Sequence, residues 1–169
     1  ALLFAAHVLH VIVIPLVGAL ADRIGRRPVY MAGAALTMAW PFAAFPMFDI
    51  GDTAMILAAI MLGLAIHAFM YAPQPAIMAE MFPTRMRYSG VSLGYQVTAI
   101  VAGSWAPLIG TALLRKYDSS TPIAIYILFA GAVSLIAALL MRETRGASLL
   151  AIDEADAKQS ARGIGVVSG

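Results

Sequence analysis

Three histidines stand in long apolar stretches, where imidazole is the side chain best suited to take up and release a proton near neutral pH. His7 and His10 are three residues apart and share a helix face. They either form a proton-handling pair or, as we favour, pack against a missing neighbour helix or lie near the outer interface of a membrane. Gly63, His67 and Tyr71 are spaced by four. His67 and Tyr71 are predicted to contact a substrate or a proton in mid-membrane, the alternative being an internal hydrogen bond.

Gln96 is the other polar side chain of interest in an apolar stretch, on a face of mostly small residues. An amide in lipid needs partners, so Gln96 either lines a cavity or bridges helices. The apolar stretches contain no Asp pair, no Ser/His/Asp set and no cluster of metal ligands, and the chain has no cysteine. We therefore expect no catalytic residue, no metal site, no organic cofactor and no enzymatic activity.

Charged residues concentrate in three short clusters between or after the apolar stretches. Acids and bases of different clusters can pair across helix ends, and such a network would tighten in one conformation and loosen in another, as a gate does. Pro83 breaks the chain between Glu80 and Arg87, so these two are predicted to meet. The alternative is that the bases only anchor loops to anionic lipid. The clusters contain Gly18, Asp22, Arg23, Gly25, Arg26 and Arg27, then Glu80, Arg85 and Arg87, and then Glu143 and Arg145.

The elements that carry these residues are predicted to be membrane helices. Hydrophobic residues make up 62% of the 169 residues and charged residues 12%, which a soluble domain of this size could not bury. A helix of about 20 residues spans the hydrocarbon. Gly18 is predicted to allow close helix approach and Gly25 a tight turn. The five predicted spans are 2–21, 29–48, 53–77 (bent or ended near Pro73), 89–114 (capped by Ser89) and 122–141.

The distribution of Lys and Arg predicts the orientation of these spans. One side has Arg23, Arg26, Arg27, Arg85, Arg87, Arg142 and Arg145, and the other has Arg115 and Lys116. The richer side is predicted to be cytoplasmic, with Ala1 outside. Residues 1–146 would form the transmembrane bundle and 147–169 a largely flexible cytoplasmic tail. The chain starts without Met inside an apolar run, so we expect a piece of a longer protein, and nothing supports nucleic-acid binding.

Three motifs in order carry a family resemblance. The stretch from Gly18 to Arg27 resembles the G-x-L-A-D-R-x-G-R-R/K loop of the major facilitator superfamily, and Ala79–Gly90 is similar to its loop between helices ten and eleven. Glu143–Gly146 resembles the E-T-K/R-G that follows helix twelve. The phrase around Tyr88–Gln96 looks most like the metabolite:proton symporters.

The resemblance implies a truncated C-terminal half of an all-α, twelve-helix transporter, helices eight to twelve, in the cell membrane. It implies proton-coupled symport of a small organic acid or zwitterion by alternating access between two halves. Its partners would be the lipid bilayer, a small-molecule substrate and the missing N-terminal half, and its coupling ion H+. No carboxylate lies deep in these spans, so the proton site is expected in the missing half or at His67. The rival reading is a non-transporting accessory or scaffold membrane subunit. The cytoplasmic gate roles fall, by resemblance, on Asp22, Arg26, Glu80, Arg87, Glu143 and Arg145.

Overall fold

A computed structural model describes residues 2–141, 153–154 and 157–158. Its longer elements are all helical, as the composition predicts. Asp52 caps α3, where its carboxylate accepts hydrogen bonds from the backbone of Ala54 and Met55 at 3.1 and 3.2 Å. The elements are α1 Leu2–Ile24, α2 Arg26–Asp49, α3 Thr53–Tyr71, α4 Gln74–Met81, α5 Thr84–Thr98, a π-helical segment Ala99–Gly103, α6 Ser104–Tyr117 and α7 Thr121–Leu140.

The corner between α1 and α2 is a single residue, Gly25. Its φ of 115° lies in the region that L side chains rarely adopt, and its N–H closes the last turn of α1 onto the Ala21 carbonyl at 3.0 Å. The predicted loop 22–28 is therefore mostly helical, and its charges lie on helix ends. Pro28 fits in the first turn of α2 because the N–H groups there have no intrahelical partner.

The core is formed by α1, α2, α3 and α7, with α2 packed against both α3 and α7. Small residues dominate the contacts, as is usual where helices pack in lipid. Ala34 and Ala68 are fully buried. A Cβ on Gly33 would lie 2.8 Å from Cγ of Met70, so this glycine sets the approach of α2 to α3. Gly18, in contrast, has no atom within 4 Å of such a Cβ, so no described helix approaches closely there and the predicted approach stays a prediction.

Within the described ranges, four helical stretches are long and apolar enough to cross a membrane: Leu3–Ile24, Arg26–Asp49, Thr53–Met81 and Thr121–Leu140. The break predicted near Pro73 is present, and the chain continues beyond it as α4 to Met81. The predicted span 89–114 lies within a longer helical run, 84–117, that the π-helical segment divides. With 15 and 14 residues, α5 and α6 are each too short to cross alone, so the fifth span stays a prediction.

Proline explains where that run is divided. Pro107 has no N–H to donate to the carbonyl of Gly103, four residues earlier, and its ring crowds that carbonyl. The π-helical segment ends at Gly103. Because the backbone is already short of one hydrogen bond there, a wider local turn costs little.

Candidate functional site

Arg26 joins the α1–α2 corner to the end of α4. Its guanidinium lies 3.3 Å from the Asp22 carboxylate, one turn back across the corner, and forms an ion pair with Glu80. The side chains of Arg26 and Glu80 are 20% and 10% exposed, whereas that of Asp22 is 67% exposed. The pair with Glu80 is thus shielded from water, and the contact with Asp22 is open to it.

Arg27 binds the end of α7. Its Nε donates to the Ala138 carbonyl at 2.9 Å and its Nη2 to the Leu139 carbonyl at 2.6 Å. Helix α7 ends at Leu140, so these carbonyls belong to its last turn, where a cation also meets the negative end of the helix dipole. Two adjacent arginines therefore tie one corner to α4 and to α7.

Arg87 closes the turn between α4 and α5. Its Nε donates to the Ala79 carbonyl at 2.6 Å and its Nη1 to the Thr84 hydroxyl at 3.0 Å. The predicted pairing of Glu80 with Arg87 is therefore wrong: Glu80 pairs with Arg26 instead. The reason is spatial, since Phe82 and Pro83 are extended and carry Arg87 back onto the backbone of α4 while Glu80 points to the corner.

Asp153 caps α5 from the tail. Its carboxylate accepts hydrogen bonds from the Thr84 backbone N–H at 2.7 Å and the Thr84 hydroxyl at 2.6 Å. These bonds, led by that from the hydroxyl, lower the pKa of Asp153. The predicted cap Ser89 is wrong, because α5 begins five residues earlier, at Thr84. Pro83, which precedes the helix, has no side chain that can cap it.

The remaining residues of the charged clusters are placed as follows. Arg23 is exposed in the last turn of α1, and Arg85 is exposed near the start of α5 and takes part in an interaction. Glu143 and Arg145 lie outside the described residues, as do most of the predicted tail residues. We call Asp22, Arg26, Arg27, Glu80 and Arg87, together with the backbone carbonyls that the arginines bind, the charged end of the bundle.

The histidines form the second polar group, between α1 and α3. His67 Nδ1 lies 3.3 Å from His10 Nε2, and the ring centroids are 5.2 Å apart. The Tyr71 ring stacks on His67 at 5.4 Å between centroids, as the four-residue spacing predicts, and lies 6.3 Å from that of His10. Among the described residues no group of three metal-ligating side chains is present.

Sequence reasoning missed His10 as a partner of His67. His10 contacts His67 of α3, which lies near the middle of the Thr53–Met81 stretch, while the depth of His10 in the membrane stays a prediction. His7 stays on its own helix, with Nδ1 2.7 Å from the Leu3 carbonyl. The signal that could have found the pair is the parallel course of α1 and α3, which two tight corners impose.

Gln96 is exposed on α5, a helix with no buried residue. A cavity of about 170 Å³ lies nearby between α4 and the α5–π run, with Gln74 and Tyr95 in its wall, but Gln96 does not line it. Neither predicted role of Gln96, cavity lining or helix bridging, finds a partner among the described residues. Gln74 is the amide that faces this cavity.

The family profile and the known proteins similar to this chain point to the same superfamily. The Major Facilitator Superfamily profile matches residues 1–168. The inner membrane metabolite transport protein YhjE of Escherichia coli is 34% identical over 139 residues, 82% of this chain and 31% of the relative. The shikimate transporter of Escherichia coli is 35% identical over 139 residues, 79% of this chain and 31% of the relative.

The ectoine/proline transporter ProP of Corynebacterium glutamicum is 33% identical over 140 residues, 82% of this chain and 28% of the relative. The chain thus spans about a third of the length of the curated relatives it matches. No solved structure matches it.

Proposed function

The chain belongs to the Major Facilitator Superfamily, and we propose that it forms helices eight to twelve, in the C-terminal half, of a twelve-helix secondary transporter. The transporter carries a small organic acid or zwitterionic metabolite together with H+ by alternating access. The names of the relatives, which include a shikimate transporter and an ectoine/proline transporter, support this substrate class.

The observation that carries the proposal is the charged end. Alternating access needs a set of contacts at one membrane face that can form and break as two halves rock. Arg26 and Arg27 hold α1, α2, α4 and α7 together at that face through one shielded ion pair and two carbonyl bonds. Asp22 leaves its carboxylate 67% exposed beside this cluster, in a position to meet a helix of the other half. Glu143 and Arg145 complete the gate in this proposal.

The membrane-embedded polar groups provide the second support. His10, His67 and Tyr71 cluster on α1 and α3, away from the charged end. Burying a polar group in hydrocarbon costs roughly several kcal/mol of free energy unless the group has a partner or faces water. Tyr71 is 46% exposed, so this cluster opens onto a face that the other half would cover or that would line the pathway.

The orientation follows from the bases. The charged end carries Arg26, Arg27 and Arg87 and is placed on the cytoplasmic side of the cell membrane. The helical run 84–117 then crosses the membrane as the fifth span, with its π-helical segment and Pro107 as a bend. Lys116 would lie outside and the C-terminus inside.

The second candidate is a membrane subunit that carries nothing and serves as a scaffold. Its support is the core of closely packed small residues, such as the buried Ala34 and Ala68, which a scaffold also needs. A scaffold needs no charge cluster with a shielded ion pair and no titratable pair in mid-membrane, which is why we favour the transporter.

Uptake separates the two candidates. The full-length protein is expressed in bacteria that lack their own shikimate and proline carriers, and radiolabelled shikimate, proline and ectoine are supplied at pH 6. We expect uptake of at least one compound, abolished by a protonophore. Normal insertion in the membrane without uptake of any organic acid or zwitterion from a wider panel would favour the scaffold.

A further inference from the structure

The contact between His10 and His67 has a simple consequence for protons. Two imidazole nitrogens 3.3 Å apart can form a hydrogen bond only if one of them donates and the other accepts. The neutral pair already meets this requirement, and one further proton turns the contact into a charge-assisted hydrogen bond between an imidazolium and a neutral imidazole. A second protonation would turn both nitrogens into donors and place two like charges side by side, which disfavours the doubly charged pair.

No charged group among the described residues faces this pair. On the two helices that carry it, the neighbouring titratable groups are His7, whose Nδ1 lies against its own helix, and Tyr71, stacked on His67. Tyr95 of α5 is the titratable group on the far side of Tyr71. From α2, Tyr30 is bonded to Ser134, and Arg26, Arg27 and Asp49 lie at the helix ends; from α4, Glu80 pairs with Arg26.

The helices that meet at the histidines also meet at the charged end. Helix α1 carries His10 and ends with Asp22 and the corner that holds Arg26. Helix α3 carries His67 and continues through Pro73 into α4, which holds Glu80. The His10–His67 contact and the Arg26–Glu80 ion pair thus both depend on the separation of these two helical stretches. A change in that separation at one contact therefore alters the geometry of the other.

We propose that His10 and His67 form one proton-binding site, in which the pair takes up a single further H+ and shares its charge across the hydrogen bond between Nε2 of His10 and Nδ1 of His67, and that this site takes the coupling proton. The proposal rests on the transport function proposed above. It places the ion-binding group on imidazoles because the described spans hold no carboxylate away from their ends. Uptake of the proton makes the hydrogen bond charge-assisted and holds α1 more firmly against α3, and its release leaves a weaker neutral bond and loosens both contacts.

A titration of the imidazoles tests the shared site. The full-length protein, labelled with ¹⁵N-histidine, is placed in lipid nanodiscs, and the His7, His10 and His67 signals are identified from His7→Gln, His10→Gln and His67→Gln. We expect His10 and His67 to take up one proton together in the first step. In His67→Gln the midpoint of His10 should move by about one pH unit or more, the size that defines coupled sites.

His7→Gln is the matched control, since His7 lies one turn from His10 on the same helix but is not in contact with His67. It should leave the midpoint of His67 unchanged. The shared site would be overturned if His10 and His67 each took up one proton independently and the titration midpoint of each stayed the same when the other was replaced.

A transport measurement tests the coupling role. Proteoliposomes are loaded for two assays with shikimate and proline as probes: accumulation driven by a pH gradient, and counterflow exchange without a gradient. His10→Gln and His67→Gln should each lose at least tenfold in gradient-driven accumulation and keep exchange, while His7→Gln keeps both. Accumulation that survives both substitutions would overturn the coupling role. If the wild-type protein carries neither these probes nor any organic acid or zwitterion of the wider panel, the proposed transport function and the coupling role fail together, while the spectra alone decide the shared site.

Discussion

Arg27, in the first turn of α2, donates two hydrogen bonds to the last turn of α7, 111 and 112 residues further along the chain, at 2.9 and 2.6 Å. Such a fork of two N–H groups suits guanidinium and cannot be matched by an ammonium. The contact fixes α2 and α7, the last described membrane helix, relative to each other at one face. The neighbouring guanidinium, that of Arg26, contacts Asp22 and Glu80 instead.

Arg27→Lys should lower the free energy of unfolding by about 1–3 kcal/mol, because charge-assisted bonds to two carbonyls are lost while the charge is kept. Thermal unfolding in mild detergent measures this. Arg23→Lys is the control, as Arg23 is exposed at the end of α1, and should change stability little. Equal stability of the two variants would contradict the role given to Arg27.

Glu80→Gln should lower the free energy of unfolding by about 3–5 kcal/mol, because it removes the shielded carboxylate that pairs with the Arg26 guanidinium. Asp22→Asn should cost only about 0–1 kcal/mol, since that contact is open to water. Under the proposed function, Asp22→Asn should nevertheless impair transport more than substrate binding. Chemical unfolding of both variants gives the ranking, and a larger loss for Asp22→Asn would reverse our assignment of the partners.

Docking of the tail through Asp153 should depend on pH. Its pKa is lowered in the folded protein, so the stabilisation is complete above the ordinary value of 3.8 and is lost as the pH falls through the lower folded value. Spin labels on the tail and on α5 can follow the distance during acidification. Asp153→Asn should release the tail at neutral pH. Glu154→Gln, one residue along and exposed, should not, and release by both would point to net charge rather than to the cap.

Two glycine substitutions should act in opposite directions. Gly33→Ala adds a Cβ 2.8 Å from Met70 Cγ and 2.9 Å from the Met70 backbone nitrogen, which should cost about 1–3 kcal/mol of overpacking. Gly18→Ala meets open space within a helix and should stabilise by roughly 0.5–1 kcal/mol. Unfolding of the two variants in one detergent provides the comparison. If Gly33→Ala is neutral, α2 and α3 do not approach as closely as described.

Labelling of single cysteines should show whether residues 84–117 cross the membrane. The chain has no native cysteine, so Tyr88→Cys and Lys116→Cys each create one thiol at an exposed position near an end of the run. An impermeant thiol reagent on intact cells should label position 116 only, and position 88 only after the cells are opened. Labelling of both from outside would place the whole run on one side and remove the fifth span.

Much of the local structure could be read from residue types and spacing. Gly25 between two charged helix ends predicts the corner, and Pro73 predicts the break between α3 and α4. Long apolar runs predict the four helices that can cross a membrane. These features depend on interactions within a few residues, such as backbone hydrogen bonds, φ preferences and burial of apolar surface, and adjacent residues determine all of them.

Partners across helices were decided only by the tertiary structure. Glu80 lies seven residues from Arg87 but pairs with Arg26, and His67 meets His10, which lies 57 residues away. Among the described helices, Gly33 and not Gly18 sets a close approach. The rotation, depth and separation of packed helices select among many equally spaced side chains, and spacing along the chain does not encode these three quantities.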